Sequence, residues 1–206
     1  MKDVQFGDSL DGRLSGECLR GAVLLSHGAG GTMDNSLLVN TAEELNALGF
    51  LTLRWNFGYV RPKRAPSRGG VREIPEMESA IDYLKEQAFG QPIILAGKSF
   101  GGRVSSYLGA GRRDIAGYVF YGLPIVGAGK NAKPRDWSHL AKLSGKILFV
   151  TGEKDNLCPL EKLAQEQEHL VVSFQSKVVP GDHSFKPRGE KDALRHCIEW
   201  VDANFK

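Results

Sequence analysis

At 206 residues, with 41% hydrophobic and 25% charged side chains, the chain has the composition of an ordinary folded protein, which argues against disorder. It is long enough to bury a core without disulfide or metal staples. Its 27 basic and 24 acidic residues leave a net charge of +3, too small to require a nucleic-acid or membrane partner.

Cys18, Cys158 and Cys197 are odd in number and form no CxxC pattern, so neither a disulfide framework nor a zinc site is expected. The N-terminal MKDVQFGDSLDG lacks the apolar core of a secretory signal. No stretch approaches the ~18 apolar residues of a membrane helix. These readings point to a cytoplasmic protein, and the length to a single domain over residues 1–206.

The elements follow in order. VQF, the turn-rich GDSLDG and LSGECL read as an antiparallel hairpin added to one sheet edge. Val23–Ser26 and Phe50–Trp55 are strands bracketing a helix, SLLVNTAEELNAL, whose Leu37, Leu38, Thr41, Leu45 and Leu48 share a face, with Gly49 as its C-terminal stop. The segment Phe57–Arg72 carries no helix or strand pattern and is rich in Arg, Pro and Gly. Pro75–Phe89 is a helix with Met77, Ile81, Leu84 and Phe89 apolar, followed by a strand at Ile93–Ala96 and a helix from about Gly101.

Tyr118–Tyr121 and Ile147–Thr151 are further strands, separated by a weak helix near Asp136–Leu143. A helix over Leu160–His169, a last strand in SFQSKVVP and a closing helix over Lys191–Asn204 complete the chain. Strands alternating with helices predict an α/β fold. Its sheet is mostly parallel, of seven or eight strands, with helices on both faces and an antiparallel N-terminal hairpin.

The strand Ile93–Ala96 runs into Gly97-Lys98-Ser99-Phe100-Gly101. A phosphate-binding P-loop fails here, because its first glycine falls on Pro92 and its loop would be occupied by strand. GxSxG fits at every position and in the required strand–turn–helix setting, which makes Ser99 a candidate nucleophile. A serine needs a histidine to take its proton and an acid to fix that histidine, in the chain order Ser, acid, His on such a sheet.

Asp155 lies in the loop after Ile147–Thr151, and His183 in the loop after the last strand, both on the carboxyl edge that carries Ser99. Turn formation is the blander use of Asp155, and solvation that of His183. His139, His169 and His196 fall in or near helical segments. Phe100 N–H is the expected first oxyanion donor and Ala29, after the Val23–Ser26 strand, the second, with Gly30 next to it. His27 reads as ordering that loop. A dinucleotide fingerprint there fails at Met33.

HGAGG, GKSFGGR, GEKD and GDHSF together resemble the α/β-hydrolase superfamily, over nearly the whole chain. Within it they are most similar to the small, lidless dienelactone-hydrolase-like branch, whose subgroup includes relatives of a chromatin-complex subunit. The resemblance implies a serine hydrolase with Ser99, Asp155 and His183 as nucleophile, acid and base, Phe100 and Ala29 as oxyanion donors, and no cofactor or metal. True dienelactone hydrolases use cysteine where this chain has Ser99, so dienelactone itself is not the expected substrate. The stretch between YVFYGLP and KILFVT is too short for an inserted lid.

The expected activity is hydrolysis of a carboxylic ester or thioester through an acyl-enzyme. The alternative is a non-catalytic interaction scaffold that keeps the fold. The partner is a small acyl substrate, anionic if Arg61 and Arg64 of the basic segment bind it, although such charge runs are commonly just solvated. Nucleic acid is not expected, since only Phe57 and Tyr59 accompany the charges as stacking surfaces.

Overall fold

The computed structural model describes residues 1–127, 129, 135–186 and 188–206. Eight strands form one open sheet: β1 (Lys2–Phe6), β2 (Leu10–Ser15), β3 (Gly21–Ser26), β4 (Phe50–Trp55), β5 (Ile93–Lys98), β6 (Gly117–Tyr121), β7 (Lys146–Gly152) and β8 (Phe174–Val179). Their order is β1-β2-β4-β3-β5-β6-β7-β8. β1 and β2 pair antiparallel, β2 joins β4 antiparallel, and every other neighbour is parallel. Among the described residues five helices accompany the sheet: α1 (Ser36–Ala47), α2 (Glu73–Ala88), α3 (Phe100–Gly109), α4 (Leu160–Gln167) and α5 (Glu190–Asn204).

The pleat of the central strands divides the core. Ala22 and Leu24 of β3 point to one face, where they pack with Met77, Ile81 and Leu84 of α2, Val104 of α3 and Leu163 of α4. Val23 and Leu25 point to the other, against Leu37, Leu38 and Leu45 of α1 and Cys197 and Val201 of α5. Successive residues of a strand face opposite ways, so a strand covered on both sides must be apolar throughout. β3 is buried at all six positions. The edge strands β1 and β8 are largely exposed.

The expected fold class holds, with four local corrections. The second hairpin strand is Leu10–Ser15 rather than LSGECL, because the chain already reverses at Gly7-Asp8-Ser9, where Gly7 and Ser9 take positive φ. α2 ends at Ala88, and Phe89 adopts a left-handed C-cap (φ 48, ψ 40) with its ring 89% exposed rather than on the apolar face. The weak helix at Asp136–Leu143 is a 3-10 turn over Ser138–Lys142. Phe57 and Tyr59 are buried, which removes them as a stacking platform. Among the described residues no helix is long and apolar enough to cross a membrane.

Parallel strands put their carboxyl ends on one edge, and the loops leaving β3, β5, β6, β7 and β8 gather there. Between β6 and β7 the described residues hold only the 3-10 turn, with no inserted helical domain over that edge.

Candidate active site

β5 ends at Lys98 and α3 begins at Phe100, leaving Ser99 alone to make the turn at φ 49, ψ −109. Such a conformation costs a side-chain-bearing residue about 1–3 kcal/mol and persists only where the surroundings enforce it. Three features enforce it. Ser99 N–H donates to the Tyr121 carbonyl at 2.8 Å, extending the β5–β6 ladder past the strand end. A Cβ on Gly97 would collide with the backbone of Gly101 and Gly102. One on Gly101 would stand 2.5 Å from the Ser26 carbonyl oxygen. Both glycines of GxSxG are therefore demanded by close backbone contact, Gly97 with Gly101 and Gly102 across the turn and Gly101 with the end of β3.

The loop after β7 brings Asp155 to the same edge, with its side chain fully buried. Asp155 Oδ1 accepts hydrogen bonds from the N–H groups of Leu157 (2.8 Å) and Cys158 (3.1 Å). The turn-forming use of this aspartate is thus real, and it coexists with a second contact: His183 Nδ1 lies 2.8 Å from Oδ2. His183 Nε2 is in turn 2.7 Å from Ser99 Oγ. The histidine loop is tied to the aspartate loop by Lys154 N–H donating to the Gly181 carbonyl at 2.9 Å. Asp182 shapes it from below, accepting from Ser184 N–H and Lys186 N–H, and these backbone donors hold its carboxyl below the usual range.

Lys98 is a contributor that the sequence pattern hid behind its P-loop resemblance. Its ammonium donates to the His183 carbonyl at 3.0 Å and sits 5.0 Å above the Phe185 ring. Burial lowers its pKa, against the opposing pull of Asp155, Asp182 and Glu190. Gly122 is another: at φ +59 it passes so close that a Cβ there would lie 3.1 Å from Asp155 Oδ2 and 3.3 Å from His183 Nδ1. No motif announces it.

Phe100 occupies the first position of α3, where a helix leaves N–H groups without intrahelical acceptors. Across from it runs the loop after β3, close enough that a Cβ on Gly28 would meet Ser99 Cβ at 3.5 Å. Ala29 and Gly30 follow and are exposed. His27 orders this loop. Its Nε2 accepts from Phe57 N–H at 3.2 Å, so the proton sits on Nδ1, which donates to the Gly28 carbonyl at 2.7 Å. Burial lowers the His27 pKa and keeps the ring neutral. Phe57 and Tyr59 pack on the His27 and Phe100 rings, fastening the start of the basic segment under the site.

The structure thus brings Ser99, Asp155 and His183 together, although His183 lies 84 residues from Ser99 and 28 from Asp155 along the chain. Arg61 and Arg64 are exposed. Arg61 lines a cavity with Asp8, Ser9 and Asp11 of the hairpin, and no side-chain contact among the described residues joins either arginine to the three.

The arrangement can activate a hydroxyl for attack. The family described as alpha/beta hydrolase domain matches residues 19–201. The mouse (Mus musculus) carboxymethylenebutenolidase homolog is 28% identical over 158 residues, which is 68% of this chain and 60% of that protein's length. A putative α/β hydrolase from Agrobacterium tumefaciens superposes with a TM-score of 0.81 at 21% identity, over 100% of this chain and 98% of the other. A dienelactone hydrolase from Anabaena variabilis gives 0.80 at 21% identity, over 100% and 97%. The chain belongs to the α/β-hydrolase family, and within it is similar to the lidless dienelactone-hydrolase-like branch.

Proposed function

We propose that the protein is a serine hydrolase that cleaves a carboxylic ester or thioester through an acyl-enzyme. The observation that carries this reading is the unbroken hydrogen-bond path from Ser99 Oγ to His183 Nε2 and from His183 Nδ1 to Asp155. His183 takes the proton of Ser99 as its oxygen attacks the acyl carbon. The N–H groups of Phe100 and Ala29 receive the oxyanion, and His183 passes the proton to the departing alcohol or thiol. Water repeats the sequence and frees Ser99. Asp155 accepts from His183 Nδ1 and holds the imidazole in the tautomer with Nδ1 protonated.

A cytoplasmic setting is supported by the three cysteines, all free. Cys158 and Cys197 are also buried, and burial raises each thiol to about 12, which keeps them inert.

The test is labelling with a fluorophosphonate, which reacts only with an activated serine. Wild type is expected to label once, on Ser99, with Ser99→Ala silent and His183→Ala slowed by about 10⁴-fold, as when a triad member is lost elsewhere. Equal labelling of wild type and Ser99→Ala would remove the nucleophile. An unreactive wild type would favour the scaffold alternative.

A further inference from the structure

We propose that β8 pairs antiparallel with β8 of a second copy of this chain, about a twofold axis at Ser176, joining two open sheets into one. The two edges of the sheet differ in a way that singles out β8. β1 exposes Lys2, Asp3 and Gln5, while Val4 is half-buried and Phe6 buried. Polar and charged side chains of this kind discourage further strand pairing. β8 instead presents apolar residues at its edge: Phe174 is 39% exposed and Val178 51%. Among the described residues β7 is its one strand partner.

The backbone decides which groups β8 has left over. The carbonyls of Ser173 and Val179 accept from the N–H groups of Ile147 and Glu153, at 3.0 and 2.8 Å. Backbone groups turn alternately to the two sides of a strand, so Gln175 and Lys177 also turn toward β7. Phe174, Ser176 and Val178 therefore turn their N–H and C=O groups outward. An antiparallel neighbour uses such alternate residues, each opposed pair exchanging its hydrogen bonds.

The side chains choose the register. About Lys177 the two lysines would stand directly opposite, and like charges so placed are destabilising. About Gln175, Phe174 would face the partner's Ser176. About Ser176, Phe174 faces the partner's Val178 and Gln175 faces the partner's Lys177. Aromatic against β-branched is a favourable cross-strand pair, and the symmetry repeats it. The outward groups of Phe174, Ser176 and Val178 are then all used.

The apolar strip is also held in place. The Phe174 ring stands edge-on to Phe149 at 6.2 Å, and Gln167 Nε2 of α4 donates to Ser176 Oγ at 2.6 Å. The pairing thus extends the core on the α4 side of the sheet. The loops carrying His183 leave the C-terminal ends of the two β8 strands, and antiparallel pairing sets them at opposite ends of the joint. A six-residue strand pair lies at the small end of specific interfaces, so the expected dissociation constant is on the order of 1–100 μM.

The experiment is sedimentation velocity over a concentration series spanning roughly 1–500 μM. Wild type is expected to pass from monomer to dimer. Ser176→Pro deletes an outward N–H without touching the bonds to β7, and should weaken association about tenfold or more. Gln175→Glu sets a negative charge against the partner's Lys177 and should tighten it, whereas Gln175→Lys should weaken it, a spread of about tenfold. Gln5→Lys, on the β1 edge, should leave it unchanged. Thermal unfolding at low concentration checks that each variant folds, and if Ser176→Pro does not, the two Gln175 variants still decide. A wild type that stays monomeric throughout overturns the proposal and leaves the edge bare or open to a different partner. A dimer that none of the β8 variants alters overturns it too, by placing the contact elsewhere. Association is read without turnover, so this outcome is independent of whether Ser99 proves reactive.

Discussion

The ammonium of Lys98 donates a hydrogen bond to the main-chain carbonyl of His183, 3.0 Å away, so the residue before Ser99 holds the backbone of the residue that faces it. The two lie 85 positions apart. The bond joins the end of β5 to the loop leaving β8 and restrains where the imidazole stands relative to the serine oxygen.

Lys98→Met keeps the length of the side chain and deletes this donor. The strand and elbow remain, but His183 loses a restraint on its distance from Ser99. Because small misplacements of a proton acceptor are costly, fluorophosphonate labelling of Ser99 is expected to slow about 10-fold or more, well short of losing His183 itself. A variant that labels at the wild-type rate would reduce Lys98 to a packing residue.

Gly122→Ala tests the opposite side of the histidine. The new methyl would meet Asp155 Oδ2 at 3.1 Å and His183 Nδ1 at 3.3 Å, at a position whose φ of +59 already disfavours a side chain. A loss of about 1–3 kcal/mol of stability is expected from the strained backbone alone. Displacement of the aspartate–histidine pair should slow labelling as well. Urea denaturation and labelling rates separate the two effects, and a variant matching wild type in both would mean that the loop yields freely.

His139 makes stability pH-dependent. It packs against Tyr107 and Trp137, contacts Ser106 Oγ at 2.9 Å, and burial pushes its pKa down from 6.5 to about 4. Asp136 pulls it upward and Lys142 downward, both more weakly than burial. The folded state therefore resists protonation, while the unfolded chain accepts a proton near the ordinary histidine value. Stability from this residue is full above that value and declines as pH falls toward about 4. With solvent screening the loss amounts to roughly 1–2 kcal/mol. His139→Gln should flatten the difference in thermal midpoint between pH 7 and pH 5, and an unchanged difference would assign the acid sensitivity elsewhere.

The parallel sheet was legible because its strands are apolar at consecutive positions, as β3 is, and because caps such as Gly49 punctuate the helices. Ser99, Asp155 and His183 were legible because each stands just after a strand end, where sequence order alone places it on one edge. What escaped the sequence depends on which loops touch. Lys98 gains its role from the carbonyl of His183, and Gly122 from the carboxylate of Asp155, contacts that local pattern does not encode. The hairpin was displaced for a related reason. Leu10 looks like part of a polar turn in sequence, but its side chain is buried against the main core.

We propose that the basic segment attracts an anionic substrate toward the site. Arg61, Lys63, Arg64 and Arg68 are exposed, and the segment is fastened at one end by Phe57 and Tyr59 beneath Phe100 and at the other by Gly70 against Val104. Exposed charges act mainly through long-range attraction, which falls off over about 8 Å at physiological salt. Arg61→Ala/Arg64→Ala should therefore weaken the preference for an anionic ester at low salt and leave little difference from wild type at high salt. Measuring the ratio of anionic to neutral ester hydrolysis across a salt series tests this. If the double variant keeps the wild-type ratio even at low salt, the segment is a solvated basic loop with no part in attracting substrate.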